Sequence, residues 1–90
     1  MPTAYVLVNT EMGLEFDVAR ELKKIEGVEE VSPVYGSYDI VVKVTSETSE
    51  GIKRIITWQI RKLNRIKATL TNIIQEKTDN ATQILVRKRS

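Results

Sequence analysis

Along this chain the spacing of hydrophobic positions changes several times, and each change marks an element. Tyr5-Val6-Leu7-Val8 is an unbroken β-branched and aromatic run, closed by Asn9-Thr10 and then Met12-Gly13, which predicts a first strand. Leu14, Val18, Leu22 and Ile25 then recur at helical spacing, with Glu15, Asp17 and Glu21 toward the start, where the helix dipole favours acids. Lys23 and Lys24 fall in the last turn, and Gly27 is expected to supply a left-handed C-terminal cap. Residues 28–35 predict a second strand, with Pro33 marking an edge or a bulge. Gly36-Ser37 predicts a tight turn into a third strand over residues 39–44, which completes a hairpin. Polar residues 45–49 offer helix caps ahead of Glu50. Ile52, Ile55, Ile56, Ile60 and Leu63 form one apolar stripe, while Lys53, Arg54 and Arg61 point away from it. This second helix is expected to end at Asn64, a residue that tolerates positive φ. Residues 66–75 predict a fourth strand. Beyond it, Thr78-Asp79-Asn80 reads as a turn, residues 82–86 as a candidate fifth strand, and Arg87-Lys88-Arg89 as a basic end.

The order β-α-β-β-α-β predicts an α+β, ferredoxin-like, two-layer fold, because right-handed crossovers place both helices on one face of an antiparallel sheet. The other face is then bare in a monomer, yet the strands are apolar at both parities: Val6 and Val8 beside Tyr5 and Leu7, Ile40 and Val42 beside Val41, Ile73 beside Leu70 and Ile74. A solvated sheet face normally alternates. The open face is therefore expected to pair with the sheet of a second copy, through residues such as Tyr5, Leu7 and Val41. Trp58 lies well off the apolar stripe of the second helix and is a further candidate interface anchor.

Size and composition narrow the chemistry. Ninety residues make one domain, divided here into residues 1–75 and a basic extension, 76–90. The chain has neither Cys nor His, which removes disulfides, thiol catalysis, Cys/His zinc sites and imidazole triads. No calcium-loop spacing occurs among the acids, so no metal or cofactor is expected. The absence of a long apolar run or a basic leader points to a cytoplasmic protein without a membrane partner. The net charge of +2 conceals a split: residues 1–50 hold four basic and ten acidic side chains, net −6, whereas residues 51–90 hold ten and two, net +8. Such asymmetry fits nucleic acid, an acidic partner, or unlike faces meeting between subunits. The nucleic-acid alternative is weakened by the third strand, where the aromatics of an RNA-recognition motif are replaced by Ile40, Val41 and Val42.

The acids Glu11, Glu15 and Asp17, and the pair Glu29-Glu30, read as a helix start and a solvated strand, since no nucleophile accompanies them. Gly36-Ser37-Tyr38-Asp39 is more informative. Turn chemistry explains Gly36 and Ser37 but not why Asp39, a poor strand former, opens a strand beside Tyr38. Turn amides, a carboxylate and a phenol together suit the ammonium and carboxylate of an amino acid.

The string Val34-Tyr35-Gly36-Ser37-Tyr38-Asp39-Ile40-Val41-Val42 resembles the signature of the ligand-sensing RAM domain in the Lrp/AsnC family of transcriptional regulators. Ala4 to Asn9, Ile25-Glu26-Gly27-Val28 and Lys67-Ala68-Thr69-Leu70-Thr71 match further pieces in the same order. The resemblance implies a non-enzymatic regulatory module that dimerises through its sheets, assembles into rings of dimers and binds amino acid effectors between dimers. It places Gly36, Ser37, Tyr38 and Asp39 at the effector site, with Thr69 and Thr71. Full-length members carry an N-terminal helix-turn-helix domain; here the first strand begins near Met1, so the expectation is a stand-alone sensor acting through a partner such as a full-length regulator, without direct nucleic-acid binding. The alternatives are a dimeric α+β-barrel enzyme acting on a small molecule, and a basic nucleic-acid-binding oligomer.

Overall fold

A computed structural model describes residues 1–74; the candidate fifth strand and the basic end lie outside the described residues. The chain forms β1 (Thr3–Thr10), α1 (Glu15–Lys23), β2 (Val28–Pro33), β3 (Ile40–Thr45), α2 (Ser49–Arg54) with a π-helical continuation (Ile55–Ile60), and β4 (Ile66–Ile74). The four strands make one antiparallel sheet in the order β2-β3-β1-β4, the ferredoxin-like arrangement expected from the element order.

Burial alternates along β1 and β3, as a pleated strand requires when one face is covered. Ala4, Val6 and Val8 of β1 and Ile40, Val42 and Val44 of β3 pack against Val18, Ala19 and Leu22 of α1, and against Ile52, Ile56 and Ile60. Both helices therefore cover the same face. Pairing of Leu7 with Val41 on one side and Leu70 on the other places these three side chains on the open face, where Tyr5 pairs with Asn72 and Thr3 with Ile74. Leu70 and Ile74 are exposed there.

Several local expectations change. Residues 34–39 form a wider connection than a two-residue turn, closed by the Val34 amide donating to the Asp39 carbonyl at 2.8 Å, and β3 starts at Ile40. Lys24 ends α1 in a right-handed conformation, so Gly27 is not the helix cap. Gly27 has φ of +97° for a different reason: an added Cβ would lie 2.5 Å from Ile55 Cδ1 and 3.1 Å from the Thr45 carbonyl oxygen. Glycine is required where β2 begins beneath the second helix. No non-glycine residue among those described has positive φ, so Asn64 does not end the second helix as expected.

That helix is also not uniform. The Thr48 hydroxyl caps it, accepting from the Gly51 amide at 2.9 Å. The Arg61 amide then donates to the Ile56 carbonyl at 2.9 Å, a bond across five residues. In an α-helix, positions four apart drift by about 40°. A turn closed over five residues reverses that drift and keeps Ile52, Ile56 and Ile60 in one buried line.

Candidate functional site

The structural oddities gather at one end of the sheet, where β1 leaves for α1, the β2–β3 connection folds over, and β4 begins. The β1–β4 ladder pairs Asn9 with Ala68 but Thr10 with Ile66, so Lys67 is an extra residue in a β-bulge. Bulges re-aim side chains. The Glu11 amide closes the bulge by donating to the Arg65 carbonyl at 3.0 Å.

Asp39 locks the same corner. Its carboxylate oxygen Oδ2 accepts from the Thr10 amide at 2.8 Å, its own amide donates to the Val8 carbonyl at 2.9 Å, and its carbonyl accepts from Val34. This explains why an aspartate stands at the entrance to β3: its carboxylate satisfies the Thr10 amide just past Val8 and Ile40, the last pair of the β1–β3 ladder. Thr10 is the one buried polar residue among those described.

Around this corner lies an open cavity of about 420 Å³. The β1–α1 segment contributes Glu11, Met12 and Glu15, the hairpin contributes Tyr35, Gly36 and Asp39, and β4 contributes Lys67. Acidic residues and a lysine thus line one space, and neither Glu11, Glu15 nor Lys67 has an ion-pair partner among the described residues. Met12 and Tyr35 are almost fully exposed at its rim. A second depression, over the outer edge of β2, is lined by Lys23 and residues 28–32. Its Glu29 is already engaged by Lys43 at 3.5 Å and by the Thr45 hydroxyl at 3.1 Å.

Of the residues singled out from the sequence, Gly36 and Asp39 line the cavity, whereas Ser37 and Tyr38 do not. Thr69 and Thr71 pair with Val8 and Val6, which puts them on the helix-facing side of β4, outside this cavity within one protomer. Tyr5, Leu7 and Val41 share the open sheet face. Trp58, 68% exposed, belongs instead to the helical layer on the opposite side of the sheet. Glu11 and Glu15, which the sequence reads as a solvated helix start, and Lys67 also line this cavity without being singled out from the sequence as binding residues. A bulge leaves no signature in hydrophobic spacing, so the aim of Lys67 was not legible.

Comparison with known proteins agrees with this architecture. The profile of the Lrp/AsnC ligand binding domain matches residues 3–84, and the chain belongs to that family, a class of regulatory ligand-binding modules. Among solved structures, hypothetical protein PHS023 from Pyrococcus horikoshii is 39% identical, with a TM-score of 0.79 over 83% of this chain and 90% of that one. The L-Met complex of transcriptional regulator NMB0573 from Neisseria meningitidis shares the fold, with a TM-score of 0.75 at 10% identity over 87% of this chain and 52% of that chain. Homocitrate synthase from Sulfolobus acidocaldarius is 43% identical over 60 residues, 67% of this chain. The match spans only 13% of the synthase.

Proposed function

We propose that this chain is an effector-binding and assembly module that senses an amino acid and regulates through a partner. The carrying observation is the cavity at the bulged corner, which Lys67 lines together with Glu11, Glu15 and Asp39. An amino acid presents an anion and a cation a few bonds apart, and a site offering both signs beside turn amides complements it. The L-Met complex of a regulator with this fold supports the same ligand class.

In this reading the apolar strip of Leu7, Val41 and Leu70 pairs two sheets, and further contacts between dimers bring Tyr38, Thr69 and Thr71 toward the effector. Binding acts by favouring one assembly, so its leverage equals its differential affinity for the two states. Isothermal titration with the twenty amino acids, beside light scattering, tests this reading. At least one amino acid is expected to bind and to shift the assembly; if none does either, the proposal fails.

The synthase match favours a second setting for the same module, in which the regulated partner is a biosynthetic enzyme rather than a promoter-bound regulator. Cytoplasmic placement belongs with either setting. Among the described residues no helix is long and apolar enough to cross a membrane.

A further inference from the structure

The charge lining the cavity is unequal, and the inequality bears on which amino acid it takes. Three acidic residues, Glu11, Glu15 and Asp39, line the space beside a single lysine, Lys67. A neutral amino acid has one cationic and one anionic group. Its carboxylate would be met by Lys67 and its ammonium by one acid, leaving surplus negative charge beside the ligand. Like charges crowded around a ligand with nothing between them are unfavourable, whereas a second cation on the ligand is attracted to the surplus.

The acids are not equivalent. Asp39 already accepts from the Thr10 amide and is held in place by it, which fixes one anionic point at the base of the corner. Glu11 and Glu15 have no partner among the described residues, stand on the segment leading into α1, and are free to reach a ligand. The apolar side chains at the rim, Met12 and Tyr35, are 99% and 103% exposed, an arrangement suited to covering an aliphatic stem between two charged ends. The bulge that aims Lys67 supplies the opposite pole.

We infer that the effector is a cationic amino acid, of the lysine, ornithine or arginine class. Lys67 takes its α-carboxylate, and Glu11, Glu15 and Asp39 share its two positive groups. This rests on the effector-binding reading above and deepens it by naming the side-chain class.

Isosteric ligands separate the contributions. L-Norleucine lacks the side-chain ammonium of L-lysine and cadaverine lacks its α-carboxylate, and L-arginine and L-citrulline form a similar cationic and neutral pair. Titration of the full chain is expected to give L-lysine or L-arginine the tightest binding, with the neutral analogue weaker by about tenfold to a hundredfold, the range of a charge-assisted hydrogen bond. Cadaverine is expected to bind more weakly than L-lysine, and Lys67→Ala is expected to remove that difference. Glu15→Gln and Glu11→Gln, both at exposed or half-exposed positions, are expected to reduce cationic binding while leaving the melting temperature unchanged. If a neutral amino acid binds as tightly as or more tightly than every cationic one, the charge inference is overturned while the effector-binding reading stands. Cadaverine binding as tightly as L-lysine overturns the role of Lys67. If none of the twenty amino acids binds, the underlying reading fails and this inference fails with it.

Discussion

Asp39 shows how one side chain serves both the fold and the site. Its carboxylate accepts from the Thr10 amide at 2.8 Å, at the point where the β1–β4 ladder loses its register. Removing the acceptor leaves a partly buried amide unsatisfied, which typically costs about 1–3 kcal/mol. Asp39→Ala is therefore expected to lower the unfolding free energy extrapolated from a urea melt by that amount. Asp39→Asn, which keeps an acceptor oxygen, is expected to retain most of the stability while weakening the binding of any cation in the cavity. Asp39→Ala as stable as the unmutated chain would show that the carboxylate does not hold the corner. The sequence marked Asp39 as anomalous because aspartate is a poor strand former. The anomaly was legible in composition; its partner, Thr10, lies 29 residues away and was not.

At the scale of elements, hydrophobic spacing indicates the order of the described strands and helices, though not the π-helical form of Ile55–Ile60, because each has a face that meets the core. Val18 and Leu22 in α1, and Ile52, Ile56 and Ile60 in the second helix, are all buried where their period placed them. Element ends were less legible. They depend on which hydrogen bonds close the chain, and Gly27 illustrates the difference. The sequence suggests a helix cap there, but its positive φ and lack of a Cβ admit the Ile55 side chain and the Thr45 carbonyl. Gly27→Ala is expected to destabilise the domain by about 2–4 kcal/mol, combining left-handed strain with overpacking. A second change, Ile55→Ala, removes the nearest clashing atom and should make the double variant less unstable than the two separate losses predict. Strict additivity in a double-mutant cycle would separate the two sites. The π turn was likewise invisible in the pattern, since Ile52, Ile56 and Ile60 are compatible with an α-helix at this length.

For the whole molecule, the two layers place the candidate interface residues on opposite sides of the domain. Tyr5, Leu7 and Val41 lie on the open face of the sheet, while Trp58 projects from the helical layer beyond the core. Four cations, Lys53, Arg54, Arg61 and Lys62, are exposed around Trp58, and none has an ion pair among the described residues. If the sheets pair, Leu7→Glu is expected to convert the smallest assembly to a monomer in light scattering, with the helical signal in circular dichroism unchanged, because the residue lies outside the core. Trp58→Ala is expected to leave that pairing intact. If larger assemblies form through unlike charged faces, they should dissociate as salt rises toward 1 M, where screening reaches about 3 Å, while sheet pairing persists. Loss of both levels together at high salt would show that the apolar strip does not carry the dimer.

The sequence alone determined the element order, the covered and open faces of the sheet, and the glycine hairpin with its unexplained aspartate. Each of these is written in local spacing and residue type, which act over a few neighbouring positions. The tertiary structure decided that Lys67 sits in a bulge, that Glu11 and Glu15 line the same cavity, and that Thr69 and Thr71 turn toward the helices. Those outcomes depend on register between strands distant in the chain. A shift of one residue reverses the side on which a strand's side chain points, and hydrophobic spacing within a single strand does not set that shift.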